Sequence, residues 1–344
     1  MKATYKKHIL TFKRPSGTSR GVLLEKETWF LILKENDKIG IGECGILRKL
    51  SVDDRPDYEQ KLQWVCENIH LGKDQLWDAL VEFPSIQFGV EMAFLSLASK
   101  TPFELFPSEF TLGLKKMEIN GLVWMGEEAF MKAQIEEKLT QGFRCIKLKI
   151  GAIDFQKELG LLAFIRNHFD EKIVEIRVDA NGAFALNDAL TKLHQLSEYK
   201  LHSIEQPIAK NNTDSMAELC KTTPLAIALD EELIGVFGIA AKTNLLKKIQ
   251  PQYIILKPSL IGGFKGTLEW IAIAEELKIQ WWITSALESN VGLNAIAQWT
   301  YTLDVKMPQG LGTGSLFINN FDSPLEVKNG TLDYNINNNW NFKI

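Results

Sequence analysis

The chain lacks the residue patterns that announce the commonest chemistries. Its four cysteines, Cys44, Cys66, Cys145 and Cys220, are scattered, with no C-x-x-C pair and no framework spacing. A disulfide scaffold and a thiolate metal site therefore drop out, and each cysteine reads as a small buried hydrophobe. The five histidines form no H-E-x-x-H pair, and no P-loop or G-x-S-x-G nucleophile elbow is present. Gly310-Leu311-Gly312-Thr313-Gly314 lacks the third glycine and the strand-to-helix context of a dinucleotide fingerprint. Positive charge is not in excess: 39 Lys and Arg stand against 43 Asp and Glu, net −4, so a nucleic-acid partner is not expected. No apolar run reaches the roughly 18–20 residues of a membrane span. Met1 to Leu10 carries three lysines, but Thr11-Phe12-Lys13-Arg14-Pro15 follows where a secretory signal needs its apolar segment. With free thiols, the expected compartment is the cytoplasm.

What is present is an ordinary globular composition, 45% hydrophobic and 24% charged over 344 residues. That length predicts two domains, or one large α/β barrel with an attachment. Residues 1 to about 110 read as strands at Gly21–Leu24 and Trp29–Leu33, a hairpin turn at Glu35–Lys38, and helices over Asp57–Ile69 and Ile86–Ser99. From about 116 the texture becomes regular. Short β-rich runs at Met117–Leu122, Cys145–Ile150, Val174–Val178, His202–Ile204, Ala226–Leu229, Tyr253–Leu256 and Gln280–Ile283, and a weak one before Gly310, alternate with helical patterns such as Glu127–Gln141, Phe155–Phe169 and Leu186–Glu198. Eight runs over roughly 200 residues favour a closed barrel over an open sheet. The tail from Ser315 has no helical pattern and is expected to return to the N-terminal region.

The polar residues at the ends of these runs carry the functional signal. Asp179, Glu205, Asp230 and Lys257 are separated by 26, 25 and 27 residues, about one βα unit each. They therefore sit at one height on four neighbouring strands, at the mouth where barrel chemistry is usually found. Three carboxylates brought together would repel one another unless a cation neutralised them. All-oxygen ligation suits Mg²⁺, with Mn²⁺ as a substitute. Spacing leaves either Asp230 or its neighbour Glu231 as the third ligand. Lys147 and Lys149 straddle Leu148, so both share one strand face, turned toward the barrel axis if Ile146 and Leu148 face the helices. Mutual repulsion, the cation and desolvation are expected to depress the lysines' proton affinity and leave a neutral amine for general-base work. Lysines on both sides of a metal fit proton abstraction beside a carboxylate. Ser285 and Glu288 end the seventh run at the same mouth, as part of the site or as a polar rim. Gly262-Gly263-Phe264 opens a helix toward an anion or makes a plain tight turn.

Together, Lys147-Leu148-Lys149, Asp179-Ala180-Asn181, Glu205-Gln206-Pro207, Asp230-Glu231 and Lys257-Pro258 followed by Gly262-Gly263 resemble the enolase superfamily. Within it the set resembles the muconate-lactonising-enzyme subgroup. Ser16–Gly21, Ser285–Ser289 and Gly312-Thr313-Gly314 are most similar to its o-succinylbenzoate synthase family, and the Asp-x-Asp of dipeptide epimerases is missing near the last barrel strand. The resemblance implies an α/β fold, a modified TIM barrel of (β/α)7β type over 113–314, with an α+β capping domain over 1–112 joined by the tail 315–344. It implies Mg²⁺ held by Asp179, Glu205 and Asp230, and a small-molecule carboxylate as substrate. It implies a carbon–oxygen lyase of menaquinone biosynthesis, converting 2-succinyl-6-hydroxy-2,4-cyclohexadiene-1-carboxylate to o-succinylbenzoate by syn dehydration. Lys149 would move the proton, Lys257 would stabilise the enediolate, and Lys147 would assist Lys149. Ser285, Gly262, Gly312 and Arg20 are candidate substrate contacts, with the Arg14–Arg20 loop expected to close over the succinyl tail. N-succinylamino acid racemisation, or a related epimerisation, is the alternative within the superfamily. A Schiff-base aldolase using Lys257 leaves the three phased carboxylates without a purpose, and a barrel that only binds its ligand would not need competent residues at every position.

Overall fold

The computed structural model describes residues 1–18 and 21–344, and Arg20 lies outside the described residues. The chain opens with three antiparallel strands, β1 (Lys2–Thr18), β2 (Gly21–Glu35) and β3 (Lys38–Gly45), in the order β1-β2-β3. The two short strands expected at 21–24 and 29–33 are one continuous strand. Its partner β1 carried no clear alternation in sequence because its exposed face is lysine-rich. Asn36 takes a left-handed φ of 53° in the β2–β3 turn, where Asn is tolerated. Three helices follow: α1 (Tyr58–Glu67), α2 (Gly72–Ala79) and α3 (Pro84–Ala98). From Thr28 to Leu33, strand β2 is covered on both faces. Trp29, Leu31 and Leu33 join Leu62, Val65 and Val90 in a core with the helices, whereas Phe30 meets Phe321 and Phe342 of the C-terminal tail.

The seam between β3 and α3 is built from small residues. A Cβ on Gly42 would lie 1.9 Å from the carbonyl oxygen of Gly89, and one on Gly40 would lie 2.2 Å from that of Ala93. Period two puts residues 40, 42 and 44 on the same face, so glycine there lets the helix backbone settle onto the strand.

The second region is a parallel βα succession. After the short β4 (Met117–Glu118), which pairs antiparallel elsewhere, its strands are β5 (Gly121–Val123), β6 (Cys145–Lys149), β7 (Glu175–Asp179), β8 (Ser203–Glu205), β9 (Ile227–Leu229), β10 (Tyr253–Leu256) and β11 (Gln280–Ile283). Between and after them run α4 (Glu128–Thr140), α5 (Phe155–His168), α6 (Ala189–Ser197), α7 (Thr213–Thr222), α8 (Ile239–Ile249), α9 (Gly263–Glu276) and α10 (Asn290–Thr302). Strands β5 to β11 form one sheet in sequence order. Two residues close it. Gly310 bridges Thr284 beyond β11, and Gln309 bridges Ile119 beside β4, both in parallel. The weak eighth run is thus reduced to a short closing segment, where a Cβ on Gly310 would meet Thr284 Oγ1 at 2.4 Å. The fold is a modified (β/α) barrel with an α+β cap. Ile146, Leu148, Ile176 and Val178 face the surrounding helices and are almost fully buried, so Lys147, Lys149, Arg177 and Asp179 face inward. Arg177 lies with its guanidinium 4.3 Å from the ring of Trp282, on the far side of the barrel.

The tail serves both regions. Phe317 bridges Phe12 of β1, while β12 (Leu325–Lys328) and β13 (Thr331–Tyr334) extend β4 into a small antiparallel sheet. No described helix is long and apolar enough to cross a membrane.

Two buried acids of the cap dock onto the barrel through helix N-termini, where free N–H groups need acceptors. Glu43 of β3 accepts from Ser289 N at 2.9 Å and Gly292 N at 2.8 Å at the start of α10. Glu91 of α3 accepts from Phe264 N at 2.5 Å and Lys265 N at 3.1 Å at the start of α9. Burial outweighs those donors and pushes the Glu91 carboxyl up to about 7. Its folded form therefore binds a proton more tightly than its unfolded form.

Two expectations follow from this packing. Gly42→Ala drives a methyl group into helix backbone and lowers unfolding stability by about 1–3 kcal/mol, read as a lower urea midpoint. The Glu91 contribution is fully present below the ordinary glutamate range and is lost as pH rises to about 7. Glu91→Gln therefore flattens the decline of unfolding free energy between pH 4.5 and 7, measured by denaturant titration at several pH values.

Candidate active site

Register sets the site. Lys149 pairs with Asp179 across β6 and β7, and Asp179 pairs with Glu205 across β7 and β8. Asp230 follows β9 directly and Lys257 follows β10. The four phased side chains and the two lysines of β6 thus enter one layer at the C-terminal mouth, all nearly buried. Lys147 donates to Glu205 and lies 3.0 Å from Asp179. Lys149 donates to Asp179 at 3.0 Å and to Asn181 Oδ1 at 2.8 Å. Lys257 donates to Asp230 and stands 4.0 Å from Glu205.

At Lys147 and Lys257 the electrostatics run opposite to the expected depression. Burial disfavours the Lys147 ammonium, but Asp179, Glu205 and Asp230 outweigh it and raise its pKa. Lys257 is raised as well, because Asp230 and Glu205 overcome its burial. For both, close carboxylates count for more than lysine–lysine repulsion. Burial also pushes the Asp179 carboxyl up, yet Lys147, Lys149 and Lys257 together hold it well below the usual carboxylate range. Asp230 is lowered chiefly by Lys257 against its burial. Glu205 goes the other way: burial and the neighbouring charges of Asp179 and Asp230 raise its carboxyl despite Lys147.

Among the described residues no three acidic, imidazole or thiol side chains already point at a common ion, since the ammonium groups stand between the carboxylates. The donor set nevertheless fits a hard divalent cation. Three carboxylates end successive strands at one height, and Glu205 Oε1 is buried with no hydrogen-bond partner, the unmet acceptor that a cation would complete. Glu231 lies one residue beyond Asp230, where Asn181 Nδ2 donates to its Oε1 at 3.1 Å.

Above this layer lies a cavity of about 300 Å³, walled by the barrel mouth and by two cap segments, Gly21–Leu23 and Leu47–Leu50. Lys147, Lys149, Asp179 and Lys257 reach its floor, and Ser285 and Gly312 line its side. Ser285 is already engaged: it donates to Glu288 at 2.6 Å and accepts from Thr313 at 2.8 Å and from Leu287 N at 3.0 Å. Ser259 donates to the same Glu288, at 2.5 Å, which gives that acid a bracing position beneath the rim. Gly262 stands apart from the cavity. It takes a left-handed φ of 100° before α9, and the anion at that helix is the Glu91 carboxylate.

Sequence reading missed Asn181 as the partner of Lys149, although it stood within the quoted Asp-Ala-Asn. It also missed the Leu47–Leu50 loop, because nothing local tells which cap loop covers a barrel mouth. Glu43 and Glu91 carried one usable signal, a lone acid inside an otherwise apolar stretch.

Lys147→Met leaves Asp179 and Glu205 buried with their shared counter-charge gone. Unfolding stability of the chelator-treated protein is expected to fall by about 3–5 kcal/mol, measured by denaturant unfolding.

With the geometry in hand, the similarities of the chain are specific. The enolase C-terminal domain-like family model matches residues 130–335. An o-succinylbenzoate synthase from Desulfotalea psychrophila is 47% identical, over 96% of this chain and 98% of its own length. An N-succinylamino acid racemase from Thermus thermophilus is 29% identical, over 80% of this chain and 75% of its own. The crystal structure of MenC from Desulfotalea psychrophila aligns with a TM-score of 0.86 at 43% identity, covering 97% of this chain and 99% of that one.

Proposed function

The chain belongs to the enolase C-terminal domain-like family, and from that premise we propose that it is an o-succinylbenzoate synthase, a Mg²⁺-dependent lyase of menaquinone biosynthesis. The observation that carries this reading is the opposition of Lys149 on β6 to Lys257, four strands away, across one small cavity whose floor includes Asp179, with Glu205 and Asp230 behind it as ion-pair partners of Lys147 and Lys257. The 47% identity along nearly the whole chain supports it.

Asp179, Glu205 and Asp230 would hold Mg²⁺, which when bound supplies Lewis-acid neutralisation of charge at the substrate's ring carboxylate. Lys149 takes the proton from the carbon beside that carboxylate and returns it, on the same face, to the hydroxyl that leaves as water. Asn181 and Asp179 fix the Lys149 amine from two sides, so its free direction is toward the cavity. Lys257, kept cationic by Asp230 and Glu205, meets the enediolate charge and stands over the ring as a cation–π partner. The cap excludes water, which strengthens each of these interactions. The division into a cap of residues 1–112 with the tail 315–344 and a barrel of 113–314 is supported by the separate apolar core around Trp29 and Leu62. A cytoplasmic location is supported by four free cysteines.

One observation favours a second reading. Two lysines on opposite faces are also what a racemase needs to remove a proton from one side and deliver it to the other, and the Thermus thermophilus racemase is among the relatives.

An ultraviolet assay with 2-succinyl-6-hydroxy-2,4-cyclohexadiene-1-carboxylate tests the proposal. Turnover is expected with Mg²⁺, lost with chelator, and reduced by about 10²–10⁴-fold in Lys149→Ala. No turnover by folded, Mg²⁺-supplied protein overturns the synthase reading and directs the next assay to racemisation of N-succinylamino acids.

A further inference from the structure

Five described cationic side chains line the cavity: Arg48, Lys49, Lys147, Lys149 and Lys257. Four of them are committed. Arg48 is spent on Glu27 and Asp54, Lys147 on Asp179 and Glu205, Lys149 on Asp179 and Lys257 on Asp230. Among the described residues Lys49 forms no ion pair. It projects from the β3–α1 loop at the cap end of the cavity, where its neighbours Leu47 and Leu50 are apolar.

The backbone at this position is independently unusual. Lys49 sits at φ 66°, a left-handed conformation that is disfavoured for an ordinary side chain and that glycine or asparagine takes more readily. The turn is pinned there, because Lys49 N donates to Asp54 Oδ2 at 2.7 Å while Asp54 Oδ1 receives Arg48 at 2.5 Å. Packing does not call for a lysine, since the residue is exposed. What lysine adds over glycine at that place is a charge on a long stem, held at the rim of the cavity.

We propose that Lys49 is a specificity-determining cation that receives the carboxylate at the far end of the substrate's succinyl chain. This rests on the synthase reading and deepens it. A substrate with two carboxylates places the ring carboxylate among the inner charges, and the second then needs a cation that is not already neutralised. The apolar wall between the two ends, including Leu122, Trp124 and Leu287, suits the ring and the methylene groups of the chain. The racemase substrate carries the same succinyl end, so the assignment is common to both reactions.

The test compares wild type, Lys49→Met, Lys49→Asn and Lys49→Arg in steady-state turnover of the cyclohexadiene substrate and in inhibition by two probes. One probe is o-succinylbenzoate; the other is 2-butyrylbenzoate, which keeps the ring and chain without the terminal carboxylate. In Lys49→Met and Lys49→Asn, KM is expected to rise about tenfold while kcat falls far less. The wild-type preference for o-succinylbenzoate over 2-butyrylbenzoate should disappear in both and return in Lys49→Arg. Asparagine tolerates the left-handed backbone, so the Asn variant separates charge loss from a disturbed turn. An unchanged preference in folded, active Lys49→Met and Lys49→Asn overturns the proposal, as does a preference abolished by Arg20→Ala but kept in the Lys49 variants. If wild type neither turns over the substrate nor binds o-succinylbenzoate, the synthase reading fails at that first step and takes the assignment with it.

Discussion

Three carboxylates and three ammonium groups share one buried layer at the barrel mouth, and each sign is tolerable there only because of the other. Lys147 is the centre of that balance, touching both Asp179 and Glu205. Isolated charges so far from water would neutralise by shifting their pKa values. Here mutual compensation holds Lys147 and Lys257 cationic and Asp179 anionic. Glu205 is the exception. It is wedged between two other acids, its carboxyl is raised, and one of its oxygens has no hydrogen bond. The layer is dense with charge of both signs yet leaves the buried Glu205 Oε1 without a hydrogen bond, an acceptor that a divalent cation would complete.

The scaffold supports this layer through strand geometry. Period-two alternation turns Ile146, Leu148, Ile176 and Val178 to the helices and the ionisable residues between them to the axis. Lower in the barrel the same alternation stacks Arg177 against Trp282, so the charged layer rests on filled interior. At the rim, Glu288 braces Ser259 and Ser285, linking the loops after β10 and β11. The cap is joined to this assembly by two acids at helix N-termini, Glu43 at α10 and Glu91 at α9. Those helices lead away from the very loops that border the cavity, so the cap docks next to the segments that shape the mouth.

Much of this was legible from the residues. Helical periodicity located α3 and α5 to within two residues, because their apolar spacing is uninterrupted. The βα spacing between Asp179, Glu205, Asp230 and Lys257 placed them on neighbouring strands, because a barrel repeats one unit per step. The K-x-K of Lys147 and Lys149 shared a face for the same stereochemical reason. Strand β1 was harder to see, since its lysines hide the alternation, and the closing segment at Gln309 and Gly310 is too short to carry a pattern.

By itself, the sequence determined the layer of ionisable residues, their order around the ring and the superfamily they resemble, since period and spacing are local properties of a chain. Tertiary structure decided which ammonium met which carboxylate, and hence that Lys147 and Lys257 are raised rather than depressed. It decided that Gly262 lies against the cap and apart from the cavity, because the acid that meets α9 comes from Glu91, more than a hundred residues earlier. It also decided that Lys49 lines the cavity with no ion pair among the described residues, while the adjacent Arg48 is engaged by Glu27 and Asp54. Such pairings depend on through-space distance between remote segments, a quantity that no local pattern encodes.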